Sequence, residues 1–156
     1  MPRLLLVRHA RAGRRGLGPE DLERPLDERG EAQAAALPAL LAPHLDRPSG
    51  VVVRSSPAVR CVATVEPLAR VLGAEVVVDD ELVEGSDGRR LLPRLATLAD
   101  AEVWSSHGDV IPELLMLLAH RGLDLGPDPS CRKGSTWVID VEDGEAVQAT
   151  PLAPPA

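Results

Sequence analysis

The chain has neither phenylalanine nor tyrosine, and its 156 residues include only two tryptophans and two cysteines. Without those aromatics, a core has to be filled by Leu, Val and Ala, which pack as branched and small aliphatics. Cys61 and Cys131 stand far apart with no second pair and no C-x-x-C, which excludes a disulfide framework and a zinc site and leaves two free thiols. No apolar run approaches the length of a membrane span, and Met1-Pro2-Arg3 leads straight into an apolar strand with no signal-peptide pattern. The expectation is a cytoplasmic protein with no membrane association. Basic charge is also in deficit: the net charge is -7 and the pI near 5.1. That balance argues against nucleic acid as a partner and favours small ones, although local basic clusters can still bind single phosphates. Lys133 is the one lysine among 17 basic residues, so the remaining cations are arginines, whose planar forks suit phosphate.

The chain has enough apolar content for one core, and neither a repeat nor a composition break divides it. A single domain is expected over residues 1–149, followed by a Pro-rich tail, 150–156, without regular structure. Short apolar runs at 3–7, 50–53, 75–78 and 101–105 alternate with helical patterns, which predicts an α/β fold with a mostly parallel sheet. One helix pattern opens at the N-cap candidate Asp27 and passes through Ala34, Leu37 and Leu41, with Pro38 bending or shortening it. A second runs from Ala58 through Cys61, Val65, Leu68 and Leu72, with a kink expected at Pro67 and with Ser56 and Pro57 as its cap and first residue. A third carries Ile111, Leu114, Leu115 and Leu118. The runs 136–141 and 146–148 around Glu142-Asp143-Gly144 read as a hairpin that adds antiparallel edge strands.

The chemistry gathers where strands end. The first run delivers Arg8 and His9 into a Gly-rich turn, the second ends in Arg54-Ser55-Ser56-Pro57 with Arg60 just beyond, and the fourth ends in Ser106-His107-Gly108-Asp109. In open α/β sheets ligands bind beyond the carboxyl ends of the strands, and helix N-termini there favour anions. Arg8 and Arg60 can each present a fork to phosphate oxygens, and neither can act as a base. A neutral imidazole can attack phosphorus in line if its other nitrogen is held by a hydrogen bond, so one histidine serves as nucleophile and the other as a donor to the equatorial oxygens. That chemistry needs no metal and no cofactor.

Competing motifs fail. The glycines at 13, 16 and 18 are spaced G-x-x-G-x-G, not as in a dinucleotide fingerprint; Ser106, His107 and Asp109 are sequence neighbours without a G-x-S-x-G elbow; and His9, His107 and Cys131 lack ligand spacing and have arginines beside them.

Arg8-His9-Ala10 resembles the RHG/RHA signature of the histidine phosphatase superfamily, which includes phosphoglycerate mutases and short phosphohistidine phosphatases of the SixA type. Ser55-Ser56-Pro57 with Arg60 and Thr64 is similar to that family's S-S-P-x-x-R-x-x-x-T, Leu82-Val83-Glu84-Gly85 to its acidic loop, and Ser106-His107-Gly108 to its second histidine motif. The resemblance implies a phosphoglycerate mutase-like three-layer sandwich with an antiparallel edge to the sheet. It also implies a phosphatase with His9 as nucleophile, Arg8, Arg60, His107 and Gly108 around the phosphate, and Glu84 as proton donor. Glu81 and Asp109 stand as alternative acids, and Arg15 as a further phosphate ligand beside Arg11 and Arg14. Arg8 to Gly13, Arg24-Pro25-Leu26-Asp27 and Lys133-Gly134-Ser135-Thr136-Trp137 look like the phosphatase domain found behind Nudix domains in MutT-type actinobacterial proteins, which adds nucleoside phosphates to phosphohistidine proteins and small phosphomonoesters as candidate substrates. The segment 73–101 is too short for the lid of a mutase, which favours hydrolysis. The rival is a module of the same fold that binds phosphate without turnover. Oligomeric state has no signature in the sequence.

Overall fold

A computed structural model describes residues 1–13 and 18–156, with the side chains of 18–20 also left aside. Arg14 and Arg15 therefore lie outside the described residues. Six strands form one sheet in the order β3-β2-β4-β1-β5-β6. They are β1 Arg3–Arg8, β2 Val52–Ser55, β3 Val76–Val78, β4 Ala101–Ser106, β5 Thr136–Glu142 and β6 Glu145–Leu152. The first four run parallel to one another, and β5 and β6 add an antiparallel edge. This is the α/β fold with a mostly parallel sheet and an antiparallel edge that the sequence implies.

Alternation along β1 explains the layering. Leu5 and Val7 point towards α1 (Glu28–Leu41) and α2 (Val59–Leu72), packing with Leu37, Leu41, Val65 and Leu68. Leu4 and Leu6 point the other way, towards α3 (Val110–His120) and the 3-10 segment Gly88–Thr97. A strand buried on both faces has to read as an unbroken apolar run, and Leu4-Leu5-Leu6-Val7 does. The aliphatic core has two aromatic exceptions, Trp104 and Trp137, both buried. Each indole N–H is satisfied, by Glu102 Oε1 at 2.9 Å and by the Ser130 carbonyl at 3.0 Å.

Asp27 caps α1 as expected, accepting from the Gly30 amide at 2.8 Å, and the helix runs through Pro38 for its full 14 residues instead of being cut short. α2 likewise continues through Pro67 to a left-handed Gly73. Three expectations need correction. β2 starts two residues later than the apolar run implied and takes in Arg54 and Ser55. Ser56 does not cap α2 at its start, because Ala58 occupies the cap position and the Ser56 hydroxyl is engaged elsewhere. Finally, the segment from Thr150 is not an irregular tail, since β6 reaches Leu152, which pairs with Thr136. Pro151 fits there because β6 is an edge strand and need not donate to a further neighbour. The hairpin turn is Asp143-Gly144, both at positive φ (51° and 78°), the geometry a two-residue hairpin favours. Among the described residues, no helix is long and apolar enough to cross a membrane.

Candidate active site

The parallel strands end together. Arg8 of β1 lies opposite Ser106 of β4, and Ser55 of β2 lies opposite Ser105. The chain leaves each strand under hydrogen-bond control: the His9 amide donates to the Ser106 carbonyl at 3.0 Å and the Ser56 amide to the Ser105 carbonyl at 2.9 Å. The Gly134 amide donates to the carbonyls of both Arg8 and His9, at 3.1 and 3.0 Å, so the turn before β5 closes the third side. The resulting cavity, about 430 Å³, is lined by Arg8, His9, Arg60, Glu84, His107 and Gly108, together with Gly13, Arg24, Asp109 and Lys133.

His9 is buried, and its Nδ1 lies 2.8 Å from the Ala10 carbonyl oxygen. A carbonyl only accepts, so Nδ1 carries the proton and Nε2 keeps its lone pair. Burial is the main reason the His9 pKa falls from 6.5 to about 3; the Arg60, His107 and Arg8 charges add to it. The Ala10 peptide that fixes this tautomer is itself held from the other side. Its amide donates to Thr64 Oγ1 at 2.9 Å, and that hydroxyl donates to the Arg60 carbonyl at 2.6 Å. One buried hydroxyl thus joins the turn after β1 to the first turns of α2.

The His107 ring sits with its centroid 5.5 Å from that of His9, roughly edge-on at 68°. Its Nε2 is 2.8 Å from Ser56 Oγ and its Nδ1 is 3.4 Å from Arg60 Nη2. A guanidinium nitrogen only donates, so Nδ1 accepts in this contact and the ring proton sits on Nε2, donating to Ser56 Oγ, which also accepts from the Ala58 amide at 3.3 Å. Desolvation, then Arg60, lowers the His107 pKa to about 4, against the opposing pull of Glu84, Asp109 and Asp21. Both imidazoles are neutral at neutral pH, so the positive charge of the cavity comes from arginine and lysine.

Arg60, only 1% exposed, is held by the Asp21 carbonyl at 2.8 Å, by Asp21 Oδ2 at 3.3 Å and by Glu84 Oε2 at 3.3 Å. Arg8 donates from Nη1 to the Cys131 carbonyl at 2.7 Å. The Nε of each arginine is buried and has no hydrogen-bond partner among the described residues. Gly108 belongs to this arrangement for steric reasons: a Cβ there would sit 2.6 Å from Arg8 Cζ.

The carboxylates separate by their surroundings. Both oxygens of Asp109 accept backbone amides, Val110 and Gly85, each at 2.8 Å, which ties the Glu84 loop to the start of α3. Glu81 is turned to Arg94 at 3.1 Å and does not line the cavity. Glu84 is exposed at the cavity wall beside Arg60. Sequence reasoning missed Asp21 and named Arg24 only within a motif, without a role at the site. Both reach the site through the 3-10 turn Gly18–Glu23 and the Ala12–Leu26 bridge, neither of which has a periodic signature. Among the described residues no group of three or more His, Cys, Asp and Glu side chains is arranged to hold a metal ion.

Residues 4–91 match the profile of the histidine phosphatase superfamily, branch 1. An 8-oxo-(d)GTP phosphatase of Mycolicibacterium smegmatis is 37% identical over 97% of the chain, and the chain spans about half the length of that relative, 48%. A protein from Agrobacterium tumefaciens assigned as the phosphohistidine phosphatase SixA is 26% identical, with a TM-score of 0.72 and 99% of each chain covered. The protein histidine phosphatase SixA complexed with tungstate shares the fold with a TM-score of 0.78 at 19% identity, covering 97% of each chain. The sequence profile, the relative and the strand-end cavity agree, and the chain belongs to branch 1 of the histidine phosphatase superfamily.

Proposed function

We propose that the chain is a phosphatase that works through a covalent phosphohistidine on His9 and needs no metal. The observation that carries this reading is the His9 imidazole, neutral and pinned at Nδ1 by its neighbour's carbonyl, at the wall of a cavity shared with two arginine forks. In the first step His9 Nε2 forms a bond to phosphorus while the bond from phosphorus to the leaving group breaks. Glu84 gives its proton to the leaving group. Arg8 and Arg60 hold the equatorial oxygens as charge shifts onto them, and His107 donates to them once Arg60 turns from Nδ1 to the phosphate and frees that nitrogen to carry the ring proton. In the second step water attacks phosphorus, Glu84 takes its proton and the phosphorus–nitrogen bond breaks, returning His9. Gly108 leaves room for Arg8, and Arg15 is kept as a further phosphate ligand.

Phosphohistidine proteins, phosphomonoesters and nucleoside phosphates are the candidate substrates, the first and last in keeping with the names of the relatives. The test is turnover in EDTA of p-nitrophenyl phosphate, a phosphohistidine peptide and nucleoside di- and triphosphates, wild type against His9→Ala, with an acid-labile phosphate assay on the protein. Turnover and label that both vanish in His9→Ala support the reading. Phosphate binding with neither turnover nor label identifies a binding module instead.

A further inference from the structure

The cavity is larger than one phosphoryl group requires. Its volume, about 430 Å³, falls in the range of small-molecule sites, which run from roughly 300 to 1,000 Å³. Arg8 and Arg60 suffice to match a phosphate dianion, yet Arg24 and Lys133 line the same space. On a chain of net charge -7, four cations converge there against Glu84 and Asp109, with Asp21 behind Arg24 and Arg60 and Asp109 already occupied by two amides.

Both extra cations stand on fixed backbone. Lys133 precedes Gly134, whose amide is shared between the Arg8 and His9 carbonyls, and its turn is closed by the Ser135 amide donating to the Arg132 carbonyl at 2.9 Å. The exposed Lys133 side chain makes no hydrogen bond or ion pair with the described residues. Arg24 donates from Nη1 to the Gly13 carbonyl at 2.8 Å, while the Gly13 amide donates to Pro25 at 3.0 Å. Its Nε lies 3.1 Å from Asp21 Oδ1 without an aligned hydrogen bond.

We propose that Arg24 and Lys133 form a second anion subsite that selects substrates whose reacting phosphoryl group is bonded to another phosphate, that is, phosphoanhydrides of small molecules. The proposal rests on the reading of Arg8, His9, Arg60 and His107 as the phosphoryl pocket. A monoester or a phosphohistidine peptide leaves Lys133 without an anion and Arg24 with Asp21 alone. In a phosphoanhydride the next phosphate follows within one bridging oxygen, close enough for both pairs to be used at once. Lysine suits this position as a compact charge that needs no fixed fork.

The test is calorimetric titration of the His9→Ala protein, which cannot form the covalent intermediate, with inorganic phosphate and with inorganic pyrophosphate in EDTA. Pyrophosphate should bind about ten-fold or more tightly than phosphate. That ratio should fall by about five-fold in Lys133→Met and in Arg24→Gln, each in the same background. Arg132→Ala, which removes a neighbouring exposed cation that does not line this cavity, should keep the ratio and so separates the subsite from general electrostatics. Equal affinity for the two anions, or a ratio unchanged in Lys133→Met, overturns the proposal. Turnover of p-nitrophenyl phosphate by the wild type keeps the two readings apart. Pyrophosphate preference without His9-dependent turnover removes the enzyme and leaves the subsite, and turnover without the preference does the reverse.

Discussion

Replacing Thr64 with valine removes one hydroxyl and almost no volume, and it isolates the link between α2 and the proposed nucleophile, His9. Thr64 is fully buried, and its Oγ1 accepts the Ala10 amide at 2.9 Å. In the variant that amide has no partner, a cost of about 1–3 kcal/mol for a buried donor. The Arg60 carbonyl, which accepts from the same hydroxyl, keeps its helical partner and adds little. A loss near 2 kcal/mol lowers Tm by about 4–8 °C in a domain of this size. Activity should fall further than stability accounts for, because the freed Ala10 peptide no longer aims its carbonyl at His9 Nδ1. A misplacement on the order of 1 Å costs roughly 100-fold in rate. Rapid-quench measurement of His9 phosphorylation, beside urea unfolding, separates the two effects. Thr64→Ser restores the hydroxyl at a cost of about 0.8 kcal/mol for the missing methyl and should return the rate to nearly wild type. If Thr64→Val loses stability as calculated but phosphorylates His9 at the wild-type rate, the hydroxyl serves only the fold and the positioning argument is wrong.

Three other perturbations have definite outcomes. Because burial lowers the pKa of His9 to about 3 and of His107 to about 4, the unfolded chain, with imidazoles near 6.5, binds protons first as the solution is acidified. Stability from these groups is complete above pH 6.5 and is lost as pH falls towards 4 and then 3; at pH 5 the loss is at most about 2 kcal/mol per imidazole. Urea midpoints at pH 7 and pH 5 should differ less in His9→Asn and His107→Asn than in the wild type, and an equal difference counts against the assignment. Gly108→Ala should push the Arg8 guanidinium aside, lowering kcat/KM by about 100-fold while Tm moves by only a few degrees, since the clash is with the mobile end of a side chain. Gly30→Ala should do the opposite. Its Cβ would lie 1.8 Å from the Arg11 carbonyl oxygen, a backbone clash that costs roughly 2–3 kcal/mol or more by chemical denaturation.

The strand ends were legible because each combined an apolar run with an abrupt polar stop, which locates Arg8, His9 and His107 from the sequence alone. The family resemblance added Glu84 and Thr64, and the structure shows that Thr64 meets Ala10 across 54 positions. Such a pairing leaves no local pattern. Ser56 illustrates how local rules mislead: Ser-Pro before a helix reads as a cap, but the hydroxyl is drawn to His107 Nε2, 51 residues away, and α2 begins later. Asp21 was hidden because a 3-10 turn, not a periodic element, brings it to Arg60, and Arg24, which follows that turn, meets Asp21 and Gly13 there. β6 ran past its expected end because Pro151 discourages a strand reading that the edge position permits.

The Gly134 amide, shared between the Arg8 and His9 carbonyls, has a consequence for synthesis. β1 lies inside the sheet, between β4 and β5, yet both of these neighbours are translated far later than it is. The Arg8 guanidinium waits for a carbonyl 123 positions downstream. The nascent chain therefore carries His9, the proposed nucleophile, long before a walled pocket can form around it, so a chain stopped before residue 131 should be inert towards phosphate esters although most of the family signature is already present.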